Sequence, residues 1–145
     1  MLVGTVIVAL AAGMLTMVRA TQTTAEEQRL QAALASFTES LRATDYLPCG
    51  DSPPPTPGAY ETAHEAQPGH WDPATADGVL SAEIIEVEHW VSATPGPYGA
   101  YEDDCPSDDE GRQLLTVRVE LDGGREGVAQ VVLSDRTEVE TGANP

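Results

Sequence analysis

From Met1 to Val18 the chain runs without a charged side chain, and only Gly4, Thr5, Gly13 and Thr16 interrupt the apolar run. As a helix this stretch spans roughly 27 Å, the thickness of a bilayer core. It predicts a transmembrane helix over 1–18, with Leu2, Val3, Val6, Ile7, Leu10 and Leu15 as its membrane and assembly residues. A cleaved signal peptide and a buried core helix are the two alternatives. No Lys or Arg precedes the run, which counts against the first. A chain so poor in aromatics has little with which to cover eighteen apolar residues on every side, which counts against the second.

The pattern then changes from apolar on all sides to apolar on one. No Gly or Pro falls between Met14 and Leu47, and Leu30, Leu34, Phe37 and Leu41 recur at spacings of four, three and four. That is one stripe on a 3.6-residue helix, widened by Ala33, and it predicts an amphipathic stalk over 19–46 whose stripe packs on a sheet. Pro48 and Gly50 end it. A Pro-rich connector and loop follow over 47–78, stiff where four prolines crowd residues 51–58. A loop or short helix is expected around Tyr60 to Ala66.

The second half alternates with period two. VLSAEIIEVEHWVS, residues 79–92, reads as a strand with Ile85, Val87 and Val91 on one face and Glu86, Glu88 and Trp90 on the other. Residues 94–111 read as a turn-rich excursion. In LLTVRVEL, residues 114–121, Leu115, Val117, Val119 and Leu121 point one way. In VAQVVLS, residues 128–134, Ala129, Val131 and Leu133 do the same. Asp122-Gly123-Gly124 between them signals a hairpin. The expected head is an antiparallel sheet over 79–135, followed by a flexible tail over 136–145.

Charge sharpens this division. The net charge is −17, and nearly all of it, −16, lies in residues 46–145; there is no Lys. So negative a head repels nucleic acid and anionic lipid headgroups. Arg19 and Arg29 follow the apolar run, so the positive-inside rule alone would put the head in the cytoplasm. The cysteines argue the other way. Cys49 and Cys105 are the only two, and a disulfide between them closes a loop of about 57 residues, worth roughly 4 kcal/mol in the chain-entropy model. Two free thiols are the alternative. The expected location is a single-pass cell-membrane protein with its head outside the cytoplasm.

Candidate chemistry is sparse. Glu102, Asp103, Asp104, Asp108, Asp109 and Glu110 crowd one loop, a weak calcium candidate through Asp103, Asp104, Asp108 and Asp109 that does not match EF-hand spacing. His64, His70 and His89 lack the spacing of a zinc motif. No GxSxG, Walker or GxGxxG motif occurs. The expectation is no enzyme, no catalytic residue and no cofactor.

In layout, the chain resembles type IV pilin-like proteins, of the minor pilin or type II secretion pseudopilin kind. The apolar MLVGTVIVALAAGML, YLPCG after the helix, EVEHW in the first strand, the Cys105 loop and LLTVRVELDGG carry the resemblance. It implies an α+β fold in which one long N-terminal helix, membrane half plus amphipathic half, packs on a small antiparallel sheet. It also implies a basic leader, a cleavage Gly and Phe-Thr-Leu-x-Glu ahead of the apolar run. Met1 falls where the residue after that Glu would stand, so the alternatives are a start upstream of Met1 and a copy that prepilin peptidase does not process. The function implied is a membrane-anchored subunit of a type IV pilus or type II secretion-like assembly. Its partners would be other pilin-like subunits and membrane lipid, not nucleic acid. The alternative is a single-pass surface binding or sensor domain that does not assemble.

Overall fold

The computed structural model describes residues 23–50, 54–92 and 99–135. Helix α1 covers 23–42, and α2 covers Pro57–Glu65. A 3₁₀ turn at Pro73–Thr75 leads into four strands: β1 (Val79–Ser92), β2 (Gly99–Glu102), β3 (Arg112–Leu121) and β4 (Glu126–Ser134). They form one antiparallel sheet in the order β2-β1-β3-β4.

The expected long pilin-like helix is corrected by this architecture; the small antiparallel sheet is the part of that expectation that stands. Helix α1 is apolar along one stripe only, and Pro57 opens a separate second helix, with Thr56 capping it by accepting the Ala59 N–H. The expected single-pass membrane location is corrected too: among the described residues no helix is long and apolar enough to cross a membrane. Leu2, Val3, Val6, Ile7, Leu10 and Leu15 lie outside the described residues, as does the tail over 136–145.

The core lies between α1 and one face of the sheet. Leu30, Ala33, Phe37 and Leu41 are buried there against Leu115, Val117, Val119, Leu121, Val131 and Leu133, with Leu34 packed at the margin. The close approach of α1 to β4 is made at Gly127, where a Cβ would stand 2.8 Å from Leu34 Cδ1. Arg125 ties the same corner by reaching Glu26 at 3.0 Å and Glu27 at 3.3 Å.

Strand β1 departs from the alternation read in the sequence. Ile85 is 41 % exposed, whereas Ile84 is 4 % exposed, and Val87 and His89 are buried. The register against β3 slips between Ile84 and Glu86. This bulge adds a residue and exchanges the two faces. The turn-rich excursion also contains a strand, β2, whose Tyr101 ring meets Trp90 edge-on at 5.1 Å. The 122–124 hairpin closes through Leu121 N–H donating to Arg125 O at 2.8 Å, with Gly124 at φ +73°.

Candidate functional site

Two constellations gather the buried His64, His89 and Gln113. The first is a cleft of about 480 Å³ between α1, α2, the 3₁₀ turn and β1. Its aromatic wall is Phe37 from α1 and Trp71 from the loop after α2, with ring centroids 5.5 Å apart. Glu61 and Glu65 stand one helical turn apart on α2 and face the same opening as Asp72, and among the described residues no Lys or Arg lines it. Glu61 also accepts the Ile84 N–H at 3.1 Å, at the strand's bulge. Asp72 caps the 3₁₀ turn by accepting the Ala74 N–H at 2.8 Å.

His64 and His70 form the floor, their rings 5.4 Å apart. Burial pushes the His64 imidazole below its ordinary value, and nearby His70 adds to this while Glu65 opposes it. Ser40 Oγ lies 2.7 Å from His64 Nε2 and accepts the Trp71 N–H at 2.9 Å. Ser40 thus joins α1, α2 and the Trp71 loop. As nucleophile and base, this pair lacks an orienting acid: among the described residues, the His64 ring makes its hydrogen bond to Ser40 alone.

The second constellation surrounds the disulfide. Cys49 and Cys105 are bonded, with Cα atoms 5.5 Å apart, so this sequence expectation stands. His89 lies beneath the bond, 2 % exposed, with Nδ1 3.1 Å from Cys49 Sγ and Nε2 3.5 Å from Cys105 Sγ. Gln113 holds the ring by donating from Nε2 to Nδ1 at 3.2 Å, and its other amide hydrogen goes to Leu47 O at 2.8 Å. Burial lowers the His89 pKa, and Asp109 opposes that shift.

Asp109, read from the sequence as a calcium candidate, is committed elsewhere. It accepts from the Tyr46 hydroxyl, from Cys49 N at 2.8 Å and from Gly111 N at 3.0 Å. Burial alone would raise its pKa, but these donors hold it below the ordinary carboxylate value. It clamps the acidic loop to the segment after α1. Asp103, Asp104 and Asp108 are exposed on that loop. Leu30, Leu34, Phe37 and Leu41 sit in or against the core, and Phe37 alone also reaches the cleft.

Sequence reasoning did not assemble the cleft, because its residues are spread from Phe37 to Ile84 and most of them, Glu61 to Pro73, fall in the stretch read as connector and loop. The available signal was the spacing of Glu61, His64 and Glu65, one face of a short helix. No protein-family model matches the chain, no curated protein resembles it, and no solved structure matches its fold.

Proposed function

We infer that this chain is a non-catalytic binding module whose cleft receives the cationic side chain of a basic peptide segment. The carrying observation is the juxtaposition of Glu61, Glu65 and Asp72 with the Phe37 and Trp71 rings, in a cleft with no Lys or Arg on its walls among the described residues. A guanidinium or ammonium there is attracted both by the carboxylates and by the ring faces, the latter worth about 0.5–2 kcal/mol. The volume suits a side chain and a few neighbouring atoms. The acidity of residues 46–145 would steer a basic partner toward it and make association sensitive to salt. Assembly through residues 1–18 has its support in the sequence resemblance alone. The cleft supports the binding reading with geometry and charge, and that reading is adopted.

The test is calorimetric titration at low ionic strength with a short Arg-containing basic peptide and with its citrulline counterpart. Binding of the first alone, weakened several-fold by Glu65→Gln and by Asp72→Asn, is the expected result. Asn retains the capping oxygen, so the turn survives that substitution. Equal binding of both peptides, or none of either, overturns the reading.

A further inference from the structure

We propose that reduction of the Cys49–Cys105 disulfide by a thiol reductant turns this hub into a binding site for a zinc-class divalent ion, held by both thiolates and by His89 Nδ1. The two sulfurs and a ring nitrogen of His89 all lie within 4.8 Å of one another. Tetrahedral zinc with bonds of about 2.3 Å to sulfur and about 2.0 Å to nitrogen separates sulfur from nitrogen by about 3.5 Å. His89 Nδ1 stands 3.1 Å from Cys49 Sγ and 3.9 Å from Cys105 Sγ, on either side of that value. The same geometry sets the sulfurs about 3.7 Å apart, close to their contact distance once unbonded. The imidazole therefore needs little movement.

The ring is also in the right tautomer. Gln113 Nε2 donates to Nδ1, so Nδ1 carries the lone pair and the neutral ring's proton sits on Nε2. A metal at Nδ1 displaces the Gln113 hydrogen bond, and Gln113 keeps its bonds to Leu47 O and to the Tyr60 hydroxyl. Chemically, the reductant supplies two electrons and is itself oxidised to a disulfide. The S–S bond breaks and each sulfur becomes a thiol. Metal binding then forms two metal–sulfur bonds and one metal–nitrogen bond and releases both thiol protons to solvent. Solvent takes the fourth position. Borderline-soft ions such as Zn²⁺ and Co²⁺ suit a set of two sulfurs and one nitrogen; calcium and magnesium do not.

The full chain, reduced with a phosphine under nitrogen, is titrated with Co²⁺ and then with Zn²⁺. One Co²⁺ per chain, a thiolate-to-cobalt charge-transfer absorption and its loss on adding Zn²⁺ are expected, with none of these in the oxidised chain. His89→Gln, which keeps size and polarity, should weaken Co²⁺ binding by about tenfold or more. Absence of the charge-transfer band in the reduced chain overturns the proposal. So does equal affinity in the His89→Gln chain. If that variant does not fold, the reduced wild-type chain with and without denaturant decides: equal affinity in denaturant means loose thiols and overturns the site.

Discussion

The Tyr60 hydroxyl donates to Gln113 Oε1 while accepting the Leu47 N–H at 3.0 Å, and Gln113 in turn donates to Leu47 O. Two buried side chains, one from α2 and one from β3, thereby satisfy both polar groups of a single backbone residue just before the disulfide. Tyr60 and Gln113 are fully buried, so no water replaces a missing partner. Tyr60→Phe strands the Leu47 N–H and the Gln113 oxygen, and a loss of about 2–3 kcal/mol is expected, read as a lower urea midpoint with unchanged slope. The double variant Tyr60→Phe with Gln113→Leu should lose less in total than the two single losses combined, since the partners share one network. Burial also pushes the Tyr60 phenol up to about 12, against 10.0 for the free group. The unfolded phenol ionises first, so this contribution is whole below pH 10 and is lost as pH rises toward about 12.

The disulfide joins the segment after α1 to the loop before β3, and the segment between them contains α2, β1 and β2. Removing it frees the unfolded chain over a long loop, and Cys49→Ser with Cys105→Ser should cost roughly 4 kcal/mol in denaturant unfolding. Alkylation of the native, nonreduced chain should label neither sulfur.

Acid should weaken the fold in two stages. Burial lowers His64 and His89 below 6.5, so the native state prefers the neutral rings. Their contribution is whole above pH 6.5 and is lost as pH falls from there toward each ring's folded value. Asp109 acts lower down: its pKa is held below 3.8, so its contribution is whole above that pH and is lost as pH falls through the folded value. Urea midpoints measured from about pH 8 down to about pH 5 should fall below the histidine value. His64→Gln should flatten part of that slope and leave the lower, carboxylate-dependent stage in place.

The parts of the fold legible in the sequence are those where one periodicity runs unbroken. Leu115, Val117, Val119 and Leu121 on β3 alternate without a bulge, and all four are buried. Strand β1 defeats the same reasoning because the extra residue at its bulge changes which parity points inward, placing Ile84 and His89 in the core and Ile85 outside. His89 shares the parity of Val87 and Val91, so alternation alone places it on the inward face beside the disulfide; the bulge misleads only at Ile84 and Ile85. The cleft was illegible for a different reason. Its walls come from four elements, and a polar cluster built across elements leaves no local period to read. The expected long helix does not carry through the described residues, where α1 is apolar on one stripe only and no helix is long and apolar enough to cross a membrane; residues 1–18 lie outside them.

Gly127 offers the sharpest test of how α1 seats on the sheet. A Cβ there would lie 2.8 Å from Leu34 Cδ1 and 3.0 Å from Leu30 Cδ2, whereas at Gly123, in the hairpin, it would meet nothing within 4 Å. A side chain at this position of β4 would have to displace Leu34 or Leu30, so what favours glycine here is packing and not backbone shape. Gly127→Val should cost about 1–3 kcal/mol, the usual range for overpacking, while Gly123→Ala should be near neutral. Shortening the opposing side chain should relieve the clash, so Leu34→Ala combined with Gly127→Val is expected to be more stable than the sum of the two single losses predicts. Thermal or urea unfolding of the four variants measures this directly. Strict additivity would mean that α1 does not approach β4 at Gly127.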